Sequence, residues 1–170
     1  MQKAKDKDNG GDMATALSQK GKDLLDTVAQ VLKGHKVEAG ILFDKPQITI
    51  DASDIYPACL TLKENPQTNF KLLLCMAAVD YKEYLQMVYF LLSVEHEALL
   101  TIKTDLPYDS PDIDSVTGVW RAANWYEREA HDLFGVNFKG HPDLAPLLLY
   151  EGFEGYPGRK EFPFHEYDEY

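Results

Sequence analysis

The stretch Leu85–Val94 limits the possible folds of this chain more than any other. Leu85, Met87, Tyr89 and Leu91 lie on one parity and Val88, Phe90, Leu92 and Val94 on the other, so both faces are apolar. A strand of that kind has to be covered on both sides, and it is expected as a central strand enclosed by helices or by a partner. Phe70–Asp80 before it and Leu99–Thr104 after it are also β-like. The polar turns Tyr81-Lys82-Glu83 and Glu95-His96-Glu97 separate the three runs, which predicts a three-strand sheet.

Upstream, apolar residues recur at helical spacing from Met13 to about Lys33 (Leu17, Leu24, Leu25, Val28, Val31 and Leu32), and Gly34 ends the pattern. Val37–Phe43 and Gln47–Asp51 read as two strands joined by a turn at Asp44-Lys45-Pro46. Ser53 or Asp54 can cap a second helix that runs to about Glu64 and covers the inner face of the sheet. Asp105–Asp114, with two Pro and four Asp, reads as a long acidic loop. Val116–Arg121 and Trp125–Phe134 follow as short helices, the second introduced by Asn124 and Glu127 at capping-box spacing.

From Gly135 onward the chain is rich in Gly and Pro and has no usable period, yet it carries Phe138, Tyr150, Phe153, Tyr156, Phe162, Phe164, Tyr167 and Tyr170. Rings on an irregular ribbon call for cover on another surface. The expected architecture is an α+β domain ordered helix–strand–strand–helix–three-strand sheet, then short helices, then an extended irregular C-terminal strap. Its divisions are a disordered leader over 1–12, the α+β domain over 13–134 and a docking strap over 135–170.

Charge narrows the function. The chain of 170 residues has 28 acidic and 17 basic side chains, a net charge of −11. Nucleic-acid binding needs a basic face, and adhesion to anionic lipid needs a basic cluster, so neither is expected. The two cysteines, Cys59 and Cys75, make neither a C-x-x-C nor a four-thiolate cluster, and both are expected as buried, reduced thiols in a cytosolic compartment. No apolar run reaches spanning length.

Candidate chemistry centres on Trp125–Gly135. Glu127 and His131 are i,i+4, a workable metal-ligand spacing that His141 could extend, but the second His of H-E-x-x-H is missing and a helix-surface pair is preferred. Arg128 and Asp132 are also i,i+4 and are expected to pair, unless Arg128 forks to a buried carboxylate at an interface. Gly152, Gly155 and Gly158 recur every third residue but follow no strand, and Pro157 removes an amide donor, which excludes a phosphate loop. Arg159-Lys160 is a lone basic pair suited to an acidic partner, a lipid headgroup or plain solvation.

The segment from Asn124 to Leu144, read as A-N-W-x-E-R-E, D-x-F-G and F-x-G-H-P-D-L, resembles the signature of the 30 kDa subunit family of respiratory complex I, known in bacteria as the C subunit of NADH–quinone oxidoreductase. Gly152 to Pro163 resembles the family's second motif, G-F-x-G-H-P-L-R-K-D-F-P, with Tyr156 in place of His and Gly158 in place of Leu. Ala145 and Pro146 stand where the family has two basic residues, so the partner surface there is expected to differ. Related subunits occur in membrane-bound hydrogenases and F420H2 dehydrogenases.

The resemblance implies a non-catalytic subunit of the hydrophilic arm with no catalytic, cofactor-binding or metal residues of its own. The iron–sulfur clusters and the quinone would belong to partner subunits. The implied partners are the large 49 kDa-type subunit and the small iron–sulfur subunit, with membrane contact only through the complex, on the cytoplasmic side and peripheral. It also implies a docking and fold-determining set: Trp125, Glu127, Arg128, Glu129, Asp132, Phe134, Gly135, His141, Pro142, Gly155, Pro157, Arg159 and Lys160.

Overall fold

A computed structural model describes residues 17–163. The leader over 1–12, the start of the first predicted helix and the rings of Phe164, Tyr167 and Tyr170 lie outside the described residues. The elements run α1 (Gln19–Val31), β1 (Val37–Leu42), β2 (Lys45–Ile50), a 3-10 turn (Ala52–Asp54), α2 (Ile55–Glu64), β3 (Leu72–Asp80), β4 (Tyr84–Ser93), β5 (Ala98–Pro107), β6 (Asp112–Asp114), α3 (Ala123–Phe134) and β7 (Asn137–Lys139). This is the expected α+β class.

Helix α1 opens at Gln19, because the Ser18 hydroxyl accepts from the Gly21 amide and caps the first turn. Five strands form one sheet in the order β1-β2-β5-β4-β3. All pairings are antiparallel except β2 with β5, where Ile48 lies opposite Ile102. The parallel pair is made by carrying the chain from β2 through α2 and the β3–β4–β5 meander, so β5, not β4, is the central strand.

The apolar parity of Leu85–Val94 that carries Leu85, Met87, Tyr89 and Leu91 is buried against the helices. Val28 of α1 and Leu32 at its C-cap, Ile55, Cys59 and Leu62 of α2, and Ala123 and Ala130 of α3 all join that core. On the opposite parity Gln86 and Val88 are buried and Phe90 and Leu92 half-buried. Leu72 and Leu99, which line up with Leu92 across β3 and β5, are 44% and 38% exposed. Among the described residues, the expected cover is therefore full on one face and partial on the other. Cys75 sits on that partly covered face and is exposed, whereas Cys59 is buried as expected.

The predicted acidic loop is largely ordered strand. β5 continues through Leu106, which is buried, to Pro107, and Asp112–Asp114 pairs in parallel with Asn137–Lys139 as a second, two-stranded sheet. Val116–Arg121 is a series of turns, not a helix. Trp120 within it is buried, and its indole N–H donates to the Phe70 carbonyl at 3.1 Å. These turns bring α3 back onto β3, where the Tyr126 hydroxyl donates to the carbonyl of Leu74, the residue at the register shift of β3.

Candidate functional site

Helix α3 starts at Ala123 and uses no side-chain cap. Glu127, expected to close a capping box with Asn124, is instead fully buried, and its Oε1 accepts from the Val116 amide at 2.8 Å. It thus caps the neighbouring turn. Its Oε2 has no hydrogen-bond partner among the described residues, and the His141 Nε2 is 4.0 Å away. The His141 ring is as buried as that carboxylate. Its Nδ1 accepts from the Asp143 amide, which leaves Nε2 as the protonated nitrogen facing the Asn124 carbonyl at 3.3 Å. Burial pushes the Glu127 carboxyl up to about 7, against the pull of nearby donors on Ser115 and Val116. Burial, with the Glu127 charge second, also pushes up the Cys59 thiol. The Tyr89 hydroxyl is raised by burial and then by both of these neighbours.

His131 does not join this cluster. Its Nδ1 meets the Val136 carbonyl at 2.9 Å, so the Glu127–His131 pair expected from spacing does not form. No group of three or more His, Cys, Asp or Glu that could hold a metal ion occurs among the described residues.

Arg128 and Asp132 share a helix face, as their spacing dictates, but they do not pair with each other. Both grip the backbone of the strap. Arg128 Nε and Nη2 donate to the Ala145 and Pro146 carbonyls at 2.8 and 2.7 Å. Asp132 Oδ2 accepts from the amides of Leu147, Leu148 and Leu149 at 2.7, 2.8 and 3.2 Å. The guanidinium fork expected to meet a carboxylate thus serves two carbonyls. Burial acts to raise the Asp132 carboxyl, but the three amides and the His131 charge outweigh it and hold the group below its usual range.

The C-terminus of α3 holds the strap a second time. Gly135 closes the helix in the left-handed conformation, φ +73°, and its amide returns to the His131 carbonyl. The Leu133 and Phe134 carbonyls, which a helix end leaves unsatisfied, accept from the Gly158 amide and from Arg159 Nε, both at 2.8 Å. A side chain at 158 would press its Cβ against the Leu133 carbonyl oxygen at 2.8 Å, which accounts for glycine at this position. The Arg159 guanidinium lies 4.7 and 5.0 Å from the ring centres of Tyr108 and Tyr156. The Lys160 amide donates to Asp80 Oδ2 at 2.7 Å, and the same carboxylate takes the Tyr108 hydroxyl and the Lys82 amide.

Other members of the expected set fall into two groups. Phe134 packs beside Gly158, Gly155 turns with positive φ next to Phe162, and Pro157 is half-buried between them. Trp125, Glu129 and Pro142 are exposed. Tyr150, Phe153 and Phe162 pack on one another, at 5.3 and 6.0 Å between ring centres. The strap therefore shelters part of its own aromatic surface, while Leu148, Tyr150 and Tyr156 stay 59%, 71% and 40% exposed.

Gly135→Ala tests this join. The new Cβ would sit 2.5 Å from the Tyr156 ring on a residue forced into positive φ. A loss of about 2 kcal/mol is expected, read as a lower denaturant midpoint together with weaker burial of Tyr156.

Residues 48–168 match the model of the family "Respiratory-chain NADH dehydrogenase, 30 Kd subunit". The chain belongs to this family. It is 39% identical to the NADH-quinone oxidoreductase C subunit of Methylobacterium sp. (strain 4-46) over 82% of this chain and 66% of that one. Against the second C subunit of Rhizobium etli (strain CIAT 652) it is 47% identical over 64% of this chain and 59% of that one. It thus spans about three-fifths to two-thirds of the length of these relatives. Among solved structures it is similar to a chain in the membrane-bound sulfane sulfur reductase, an archaeal respiratory membrane complex, with TM-score 0.73, 29% identity and coverage of 85% and 86%. The trypsin-resistant fragment (1-134) of Nqo5 shares the fold, with TM-score 0.58, 24% identity and coverage of 73% and 98%.

Asp80, Tyr108 and the Val116 amide are the site groups that sequence reasoning missed. Asp80 carried a faint signal: it is a carboxylate ending an apolar strand, where a charge needs a partner. No helix of the described residues is long and apolar enough to cross a membrane.

Proposed function

We propose that this chain is a non-catalytic, assembly-supporting subunit of the hydrophilic arm of a complex I-type NADH–quinone oxidoreductase. In this reading its strap packs on the large 49 kDa-type subunit, with the small iron–sulfur subunit, near the quinone-reducing centre. The clusters and the quinone belong to those partners, and the chain is peripheral, on the cytoplasmic side, touching the membrane only through the complex.

One observation supports the reading above the rest. Arg128 and Asp132 are spent on holding the strap's backbone and Arg159 on tying the strap to the Phe134 carbonyl of α3, and the strap so held leaves Leu148 and Tyr150 exposed. Positional support fits that arrangement, because electron transfer between partners depends on fixed geometry.

Arg128→Ala should lower the yield of assembled complex several-fold, with activity per assembled complex kept. Arg128→Lys should rescue little, because an ammonium cannot span both carbonyls. Normal yield for Arg128→Ala would overturn the reading.

A second reading has its own support in the likeness to a chain of the archaeal sulfane sulfur reductase complex: the same positional role in a complex with another electron donor, such as a membrane-bound hydrogenase or an F420H2 dehydrogenase. Assay of the purified complex with NADH, reduced F420 and hydrogen separates the two.

A further inference from the structure

Besides its holds on the strap, α3 carries a fully buried acid in a titratable cluster. The neighbours of Glu127 are Cys59 of α2, Tyr89 of β4, Ser115 and Val116 of the turns before α3, and His141 of the turn after β7. No lysine or arginine pairs with it among the described residues.

Its two oxygens are served unequally. Oε1 has the Val116 amide, whereas Oε2 is buried with no hydrogen-bond partner among the described residues. A protonated acid tolerates that arrangement. A carboxylate does not, because a buried charge without donors is among the costliest groups in a fold.

Three neighbours can answer the charge. The Ser115 hydroxyl is already shared with that of Thr117 at 2.7 Å. The Tyr89 hydroxyl is buried and unpartnered, but it feels Cys59 more strongly than Glu127. The His141 ring is the nearest to hand. Its Nδ1 takes the Asp143 amide at 3.1 Å, so Nε2 carries the proton. That N–H has only a long contact to the Asn124 carbonyl, 3.3 Å, and Glu127 Oε2 stands 4.0 Å away. A shift of about 1 Å would turn the second distance into a charge-assisted hydrogen bond.

The same ring holds the start of the strap. It fixes the Asp143 amide through Nδ1, and the residue before it, Gly140, has φ +80° and open space around it. The ring cannot approach Oε2 without drawing the turn along or giving up the Asp143 amide.

We propose that Glu127 and His141 form a pH-operated joint between α3 and the start of the strap: the neutral acid leaves the ring where it stands, and the ionised acid draws the Nε2–H off Asn124 onto Oε2 and resets the 140–143 turn. The proton that Glu127 loses goes to solvent, and the imidazole keeps a single proton, on Nε2, throughout. Burial, which pushes the Glu127 carboxyl up to about 7, sets the changeover near neutral pH. The joint lies within this chain, so it stands or falls independently of the subunit reading.

NMR of the full chain from about pH 5 to about pH 9, with 15N in the histidine rings and 13C in the glutamate carboxyls, tests it. The Glu127 carboxyl, the His141 Nε2 and the Asp143 amide resonances should move together with one midpoint, and His141 Nδ1 should stay unprotonated. Glu127→Gln cannot ionise and should leave His141 and Asp143 flat over that range. His141→Phe removes the answering donor and should raise the Glu127 midpoint by at least about half a pH unit, with a smaller change for Tyr89→Phe. If His141→Phe does not fold, the parent and Glu127→Gln titrations decide. A Glu127 resonance that titrates while His141 and Asp143 stay still overturns the proposal. So does a midpoint that rises in Tyr89→Phe and not in His141→Phe, or a His141 ring that gains a second proton as Glu127 ionises.

Discussion

Replacing Asp132 with alanine is expected to detach the segment from Ala145 to Leu149 from α3. One buried oxygen now satisfies three successive amides, and the alanine variant offers them nothing. Hydrogen bonds to a charged group are worth roughly 1.5–3 kcal/mol each, but they share one acceptor and the freed amides can reach water, so a net loss of about 3–5 kcal/mol in strap attachment is expected. Hydrogen exchange reads it directly: the amides of Leu147, Leu148 and Leu149 should lose protection while those of β4 keep theirs. Asp132→Asn should fall between, because its carbonyl retains an acceptor without the charge. Unchanged protection at all three amides would refute the account.

The second large effect concerns pH and has the opposite sign from most carboxylates. The Glu127 carboxyl stands at about 7 in the folded chain against an ordinary 4.5. A carboxyl raised in this way binds its proton more tightly when folded, so stability falls as pH rises from the unfolded value through the folded one and then stays low. From about pH 5 to about pH 8 this group alone should cost on the order of 2–3 kcal/mol. Glu127→Gln mimics the protonated acid and keeps an oxygen for the Val116 amide. The glutamine variant should match the parent near pH 5 and exceed it in stability near pH 8, as measured by urea unfolding at each pH. Asp80 and Asp132 work the other way. Burial acts to raise both, but the amides they accept from hold them low, so their contribution is present above the ordinary carboxylate range and is lost as acid titrates them. The difference between parent and glutamine variant isolates Glu127. Parallel curves across that range would remove the argument.

What the sequence discloses here is what has a period. The doubly apolar Leu85–Val94 and its neighbours specify the meander, and the spacing of Leu24, Val28 and Leu32 specifies α1. Three-residue strands have no period to see, so β6 and β7, paired across 25 residues at Ile113 and Phe138, hide inside an apparent loop. The site shows the same divide. The family signature singles out Arg128, Asp132 and Arg159, but the i,i+4 spacing of Arg128 and Asp132 suggests that they pair with each other, and Arg159-Lys160 reads as a lone basic pair. Their actual partners are backbone groups, and every residue carries those alike, so no sequence pattern marks which amide a carboxylate will find. Glu127 reads as a surface residue because a charge heading a run of three is ordinarily solvated. Its burial follows only from how the Val116–Arg121 turns swing α3 onto the sheet.

Asp80 and Lys160 stand 80 residues apart, yet a single bond from the amide of one to the carboxylate of the other closes the molecule. A ribosome makes the acid long before the amide that completes its shell. Until then Asp80 has the Tyr108 hydroxyl and the Lys82 amide but lacks its third donor. The last of the three is thus supplied only when the far end of the strap is laid down beside the β3 strand end.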